Sequence, residues 1–206
     1  MRKSLNLKSM PVLRPVVVAG LFWVSGSSAF AIDNDQMVVL GRTSQPIGHF
    51  NYCRETPQDC VSNTVSPLAP VLTDKRWAQL IEINHHANIS VSPATDMELY
   101  SKEEYWTLPG KYGDCEDYVL LKRKLLIKRG WPVSSLLVTV VRQPSGEGHA
   151  VLTVRTSKSD FILDNLNSEI LPWNKTVYQY LKRQSTVHSG RWSDIADTRN
   201  IVGAIK

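Results

Sequence analysis

The sequence predicts an α+β fold in which one helix is followed by an antiparallel β-meander. The helix is indicated by Tyr118, Leu121 and Leu125, whose spacing places them on one helical face. Beyond it, residues 136–141 and 149–154 are apolar and β-prone, with turn-forming residues between them. The chain has 206 residues, of which 42% are hydrophobic and 21% are charged, so it can bury the core of one such domain.

The first 31 residues have the pattern of a secretory signal peptide. Four basic residues lead into an apolar run at 16–24, and Ala29 and Ala31 form the small-residue cleavage pattern. The apolar run is too short for an ordinary transmembrane helix, which needs about 20 residues. We therefore predict cleavage after Ala31, a periplasmic or secreted location, and a single domain over residues 32–206. An uncleaved membrane anchor is the alternative.

The positive net charge belongs mainly to this leader. The full chain has a formal charge of +5, but residues 1–31 carry four Lys/Arg and no Asp/Glu. The remainder has 20 basic and 19 acidic residues, which is a formal charge of +1. Charge therefore gives no reason to expect nucleic acid or an anionic membrane as a partner.

The chain has three cysteines, an odd number for an exported protein. Cys53 and Cys60 lie seven positions apart in a loop-like stretch that is able to close on itself in an oxidising compartment. A metal-binding role for this pair lacks partner ligands at the usual spacing. We predict a Cys53–Cys60 disulfide, which leaves Cys115 as the free thiol.

Three segments precede the helix that carries Cys115. Residues 32–72 contain Gly, Pro, Asn and Ser at short intervals, which predicts an extended segment with one β-prone piece at 37–40. Thr73 is a suitable N-cap for a helix over residues 74–84. Residues 87–112 are rich in loop-forming residues. We expect these segments to surround the helix and the meander.

Cys115 lies at the start of the apolar helix. The motif Gly113-Asp114-Cys115-Glu116-Asp117 directly precedes Tyr118, and the helical pattern runs to Arg129 before Gly130 ends it. The positive end of the helix dipole and the unpaired backbone N–H groups at a helix start both favour a thiolate over a thiol. Cys115 is therefore placed like a nucleophile.

The meander brings a histidine and an aspartate together. Turn-forming residues separate the strand that begins at His149 from a third strand at 161–165. This register places His149 and Asp164 opposite each other or one diagonal step apart on one face, with about 5–8 Å between their Cβ atoms. Farther along, residues 177–183 are predicted to form a helix, and the C-terminal aromatic residues are predicted to cover the sheet.

Cys115, His149 and Asp164 form a candidate catalytic triad. A nucleophilic thiol needs a base that takes its proton, and that base needs an acceptor that holds its tautomer. The alternatives are a buried free cysteine, a hydrogen-bonded histidine and an aspartate in a turn. Cys115 lies at a helix start, His149 at a strand start and Asp164 on the neighbouring strand, and this placement favours the catalytic interpretation.

Several blocks of this sequence resemble one known family. They are Tyr112-Gly113-Asp114-Cys115-Glu116-Asp117-Tyr118, Lys122, Gly130-Trp131-Pro132, Gly148-His149-Ala150-Val151-Leu152 and Leu163-Asp164-Asn165. The chain resembles the bacterial transglutaminase-like cysteine proteinases, the LapG-like periplasmic proteases, over about residues 70–185. The segment from Gly48-His49 to Cys60 resembles branches of the family outside its best studied members.

The resemblance implies a papain-like or transglutaminase core. It implies Cys115 as the nucleophile, His149 as the base and Asp164 as the group that orients His149. In the studied branch, the enzyme cuts a large surface adhesin and so releases biofilm cells. A membrane receptor that senses a cyclic dinucleotide sequesters that enzyme. A protein substrate of the adhesin type and an inner-membrane receptor are therefore the expected partners.

The resemblance also implies a calcium site, at Asp114, Glu116 and Asp117. Three carboxylates within one helical turn repel one another, and a hard cation with oxygen ligands would relieve this repulsion. The alternative is that the acids only favour the helix N-terminus. Carboxylates beside Cys115 would raise its pKa, so bound calcium would help to restore the thiolate.

The expected reaction is peptide hydrolysis through an acyl-enzyme. The backbone N–H of Cys115 is the expected oxyanion donor, with Trp106 as the candidate for a second donor. Two other functions stay open from the sequence. One is transglutaminase or amide-transfer chemistry, in which an amine replaces water, and the other is a catalytically inactive binding module.

Overall fold

A seven-stranded antiparallel sheet organises the part of the chain that the structure, a computed structural model, describes, namely residues 36–63 and 69–199. The predicted signal peptide and its cleavage after Ala31 lie outside these residues. Within the described ranges, no helix combines the length and the apolar character that a bilayer crossing requires.

The elements follow one another along the chain with short connections. The strands are β1 (Val39–Thr43), β2 (Ser92–Pro93), β3 (Tyr112–Gly113), β4 (Leu136–Arg142), β5 (Gly148–Arg155), β6 (Asp160–Leu163), β7 (Leu171–Pro172), β8 (Gln179–Ser185) and β9 (His188–Ile195). The α-helices are α1 (Ile47–Glu55), α2 (Asp74–Ser90), α3 (Asp96–Tyr100) and α4 (Cys115–Lys128). The 3-10 turns are Pro57–Asp59, Val133–Ser135 and Trp173–Lys175.

The strand order in the large sheet is β1-β9-β8-β4-β5-β6-β7. The predicted meander is present as β4-β5-β6, and β8 and β9 continue the sheet on the other side of β4. One face packs against α4, with Val119 and Leu126 against Val138 and Leu152. The α+β prediction is confirmed.

Helix α4 begins and ends where its sequence predicts. Asp114 is its N-cap, so Cys115 is the first helical residue. Leu120 and Leu126 are buried on the sheet side. Gly130 ends the helix with a φ of 82°, a left-handed conformation that glycine adopts without steric cost.

The predicted helix at residues 177–183 is wrong, because this segment forms β8. Tyr178 and Tyr180 are residues that favour strands, and both are buried on the face of the sheet opposite α4. The backbone of β8 pairs with β4 on one side and with β9 on the other. Pairing with distant strands therefore outweighs the local helical spacing.

The N-terminal segment is less extended than predicted. The strand β1 covers part of the predicted β-prone piece, but residues 47–55 form the helix α1. Two contacts with residues beyond its end hold this helix in place. Cys53 forms the predicted disulfide with Cys60, and Gly48 packs directly against Trp106. A Cβ at Gly48 would lie 2.4 Å from the indole, so only glycine permits this approach.

The two other N-terminal predictions hold in outline. The helix α2 begins after Thr73, whose hydroxyl accepts a hydrogen bond from the Arg76 amide, and it continues six residues beyond the predicted end at 84. The loop-rich stretch 87–112 contains the short helix α3 and the parallel pair β2–β3. This stretch leads directly into α4 and forms one wall of the site described next.

Candidate active site

Cys115 lies in a cleft at the start of α4. The cleft has a volume of about 450 Å³ and is also lined by Trp106, His149, Ala150 and Lys182. The Cys115 sulfur is half-buried, and it is the free thiol of the described chain. As the first residue of α4, its amide has no acceptor within the helix and faces outward with the positive end of the dipole.

His149 and Asp164 form a buried pair beside this cleft. His149 Nε2 lies 2.8 Å from Asp164 Oδ1, and both side chains are almost fully buried. Because Leu152 pairs with Leu163 across β5 and β6, Asp164 is one diagonal step from His149 on the same face. The predicted proximity of these two residues is confirmed.

Asp164 is held in place by further groups. Its Oδ2 accepts a short hydrogen bond from the Tyr178 hydroxyl, and its Oδ1 accepts one from the Leu166 amide at 3.0 Å. The Asn88 amide of α2 donates to its backbone carbonyl at 2.8 Å. Tyr178 and Asn88 carry no sequence signal for this role, because only the folded chain brings them to Asp164.

These contacts fix the charge of Asp164 and the tautomer of His149. Burial would raise the pKa of Asp164, but hydrogen bonds from His149, Tyr178 and Leu166 outweigh it, so the pKa lies below its usual value. An ionised Asp164 accepts the Nε2 proton of His149 in a hydrogen bond. Nδ1 is then the nitrogen with a free lone pair, which a general base requires, and His149 lines the same cleft as Cys115.

Cys115 is protonated in this environment. Its Sγ donates a hydrogen bond to Glu116 Oε2 at 2.7 Å. Burial raises the pKa of the thiol well above its usual value and the Glu116 carboxylate raises it further, whereas a backbone hydrogen bond with Ala150 lowers it. Burial, together with the carboxylates, therefore outweighs the helix dipole at this position, and the effect of the carboxylates is the conflict expected from the sequence.

A cluster of carboxyl groups lies next to the sulfur. Asp96, Asp114 and Glu116 each offer an oxygen atom within 4.8 Å of the others. Two of these residues are predicted calcium ligands, and Asp96 is a residue that the sequence analysis did not identify. Asp96 is the first residue of α3, and its Oδ2 accepts a hydrogen bond from the Tyr105 amide. The sequence feature that could have indicated the position of Asp96 is the capping box formed by Thr95 and Glu98, which marks the start of α3.

These residues fit a hard divalent cation. Within the described residues, the buried oxygens Asp96 Oδ1 and Asp114 Oδ1 have no hydrogen-bond partner. Burial raises the pKa of Asp114 and of Glu116, and the surrounding carboxylates raise both further. Calcium takes six to eight oxygen ligands, and unpartnered carboxylate oxygens at this spacing are suitable for it.

Asp117 has a different setting from the other predicted ligands. Its Oδ1 accepts a hydrogen bond from the Thr107 amide at 2.9 Å, and it lies outside the group of Asp96, Asp114 and Glu116. Its Oδ2 packs against Gly113, where a Cβ would approach within 2.8 Å. Burial, together with the nearby acids, raises the pKa of Asp117 to about 7. A ligand role for Asp117 stays a prediction.

Trp106 is fixed at the wall of the cleft. Its Nε1 donates to Glu104 Oε2 at 3.0 Å, and its ring packs edge-on against His49, which is buried on α1. The indole N–H already has an acceptor in Glu104, so it would have to leave that acceptor to donate to an oxyanion. A role for Trp106 as the second oxyanion donor stays a prediction. Gly48 of α1 packs against this wall, in direct contact with the indole.

Lys122 is buried beneath this site. Its side chain is 0% exposed, and its Nζ has no hydrogen-bond partner among the described residues. The Nζ lies 6.0 Å from the centre of the Tyr118 ring. Burial lowers the pKa of Lys122 to about 7, and the Asp164 charge opposes this effect.

Comparisons with known proteins bear on the family and the fold of this chain. Residues 39–200 match the model of a family described as bacterial transglutaminase-like cysteine proteinase (BTLCP). Calcium-bound LapG from Legionella pneumophila aligns at 26% identity with a TM-score of 0.50, over 60% of this chain and 70% of that chain. A second structure of Legionella pneumophila LapG and its EGTA-treated form align at 26% identity with TM-scores of 0.46, over 52% of this chain. This chain covers 62% of the length of those two, and no curated protein matches it.

We predict that Lys122→Met stabilises the protein near neutral pH. The folded state holds the lysine with its pKa near 7 instead of 10.5, so a buried ammonium costs folding free energy at and below pH 7. This cost disappears as the pH rises from about 7 towards 10.5. Urea unfolding at pH 6, 8 and 10 should show a gain of roughly 1 to 4 kcal/mol at pH 6 that shrinks towards pH 10. A gain that is independent of pH would contradict this account, and Lys124→Met, on the same helix, is the control.

Proposed function

Because the chain belongs to the bacterial transglutaminase-like cysteine proteinases, we propose that it is an endopeptidase with a Cys115-His149-Asp164 triad. The observation that carries this proposal is the buried His149–Asp164 pair, whose histidine lines the same cleft as Cys115 at the start of α4. The pair leaves His149 Nδ1 as the base, and Cys115 is the free thiol that lines the same cleft.

The first half of the reaction forms an acyl-enzyme. His149 Nδ1 takes the thiol proton, and the sulfur attacks the carbonyl carbon of the substrate. The backbone N–H of Cys115 donates to the developing oxyanion. As the C–N bond breaks, the proton on Nδ1 passes to the leaving amine, and the thioester remains on Cys115.

The second half releases the acid product. Water loses a proton to His149 Nδ1 and attacks the thioester carbonyl. The C–S bond then breaks, and the sulfur recovers the proton that Nδ1 holds. Asp164 stays ionised throughout and stabilises the imidazolium that forms in each half.

We propose that calcium supports this site. Asp96, Asp114 and Glu116 would hold the ion, with Asp117 as the further ligand that the family resemblance implies. When bound, calcium supplies positive charge that offsets the carboxylates beside the thiol. The likeness to calcium-bound LapG supports the choice of metal.

The remaining proposals concern location and partners. A Cys53–Cys60 disulfide suits an oxidising compartment, which supports export after cleavage at Ala31 and a periplasmic or secreted location. A surface adhesin as substrate, a role in biofilm release and a cyclic-dinucleotide receptor at the inner membrane rest on the family resemblance alone.

Two other activities use the same residues. Transglutaminase chemistry would replace the attacking water with an amine, and incorporation of a labelled amine into a test protein distinguishes it from hydrolysis. A catalytically inactive binding module is the other alternative. The intact Cys115, His149 and Asp164 argue against it.

Proteolysis is the first prediction of this function. Purified residues 32–206 should generate new N-termini, detected by mass spectrometry, in exported proteins of the same cells. Cys115→Ala and His149→Gln should remove these termini, because one lacks the nucleophile and the other lacks the base. His86→Gln, on the exposed face of α2, is the matched control and should keep them. Identical termini with active protein and with Cys115→Ala would contradict the proposal.

The pH dependence of Cys115 alkylation tests the calcium proposal. Carboxylates raise the pKa of the thiol, so calcium should move the alkylation profile to lower pH, by about one unit or more. Intact mass follows the reaction directly, since Cys53 and Cys60 are joined. Asp96→Asn should require more calcium for the same shift. Superimposable pH profiles of Cys115 alkylation with calcium and with a chelator would contradict this proposal.

A further inference from the structure

The floor of the cleft is one row of side chains across three neighbouring strands. Val140 on β4 pairs with Ala150 on β5 and with Lys182 on β8. Residues directly opposite each other in antiparallel strands point to the same face of the sheet. All three line the cleft that contains Cys115. The row therefore extends from Ala150, on the Cys115 side of the cleft, through Val140 to Lys182.

The length of this row corresponds to a few residues of a peptide. Neighbouring strands lie about 4.8 Å apart, so the backbones of Ala150 and Lys182 are roughly 10 Å apart. Ala150 and Cys115 line the same cleft, so this end of the row lies beside the nucleophile. An extended peptide advances about 3.3 Å per residue, so the Lys182 backbone lies about three peptide residues along the cleft from Ala150, and the lysine side chain extends from there.

The Lys182 ammonium is positioned but not neutralised. Its Nζ donates to Ser44 O at 3.0 Å and to Ser44 Oγ at 3.3 Å, which uses two of its three N–H donors. Asp194 is its cross-strand neighbour on β9, yet Lys182 takes part in none of the ion pairs between described residues. One donor and the full positive charge are available to a ligand in the cleft.

The cleft is also electrostatically asymmetric. Glu104 and Glu116 line it near the nucleophile, whereas Lys182 lines it at the end of the row, with the apolar Val140 between them. A peptide with an acidic side chain at the Lys182 position would match this arrangement, and a basic side chain there would meet a like charge. Complementary charge of this kind selects between substrates more than it adds affinity.

We propose that Lys182 forms a specificity subsite that binds an Asp or Glu side chain of the substrate about three residues from the scissile bond. Val140 would contact the residues between, and Ser44 would hold the ammonium in place. This inference rests on the proposed peptidase function, and it adds the class of substrate sequence that the cleft prefers. A partly exposed charge pair of this kind is worth a preference of roughly three- to fivefold in kcat/KM.

Cleavage of a proteome-derived peptide library tests the subsite. The peptides are prepared with chymotrypsin so that Asp, Glu, Lys and Arg occur at every position. Among the peptides that wild-type protein cuts in the presence of calcium, Asp and Glu should be enriched at one position two to four residues from the cut. Lys182→Gln should lose this enrichment, and Lys182→Glu should replace it with Lys and Arg. Lys158→Glu, in the exposed β5–β6 turn, should keep the wild-type profile.

A matched peptide pair separates specificity from damage to the fold. Two peptides that differ only by Asp or Asn at the enriched position should differ roughly three- to fivefold in kcat/KM with wild type and be equal with Lys182→Gln. The Asp/Asn ratio is taken within each protein, so a general loss of activity in Lys182→Gln cancels from the comparison. Cleavage without acidic enrichment, or an unchanged Asp/Asn ratio in Lys182→Gln, would overturn the subsite. Absence of any cleavage that depends on Cys115 would overturn the peptidase function itself, and the subsite with it.

Discussion

The start of α4 holds a thiol and several carboxyl groups in one small, partly buried space. The helix dipole favours the charged form of each, but burial and mutual repulsion disfavour it. In the structure, burial and repulsion win, since the pKa of Cys115 and those of Asp114 and Glu116 are all raised. The nucleophile is thus held as a thiol that donates to Glu116. Calcium at the proposed site would resolve this conflict, because a divalent cation offsets the negative charge of the carboxylates.

The other half of the site is stable without any added charge. His149 and Asp164 are fixed by the β5–β6 register, and Tyr178 and the Leu166 amide hold the carboxylate ionised. Here hydrogen bonds outweigh burial, which is the reverse of the situation at α4. His149 is therefore already oriented by hydrogen bonds, whereas the protonation state of Cys115 depends on its acidic neighbours. This division between a rigid sheet and a charge-sensitive helix start explains how one site could respond to a metal ion.

The sequence predicted the parts of the site that depend on local pattern. Cys115 at a helix start follows from the apolar spacing and Gly130, and the approach of His149 to Asp164 follows from two strands and one turn. The missed features all depend on distant contacts. Asp96 reaches Glu116 only through the path of residues 101–113, and β8 has a local spacing that also suits a helix. The helix α1 packs through Gly48 against Trp106, a distant contact that no local propensity encodes.

Proton release on calcium binding, measured by titration calorimetry in buffers of different ionisation enthalpy, tests the central claim most directly. Carboxyl groups with raised pKa values hold protons at pH 6.5 that a bound cation would displace. The account predicts that the binding enthalpy at pH 6.5 depends on the buffer, and that Asp96→Asn weakens binding. Calcium binding with the same enthalpy in every buffer, or no binding at all, would contradict it.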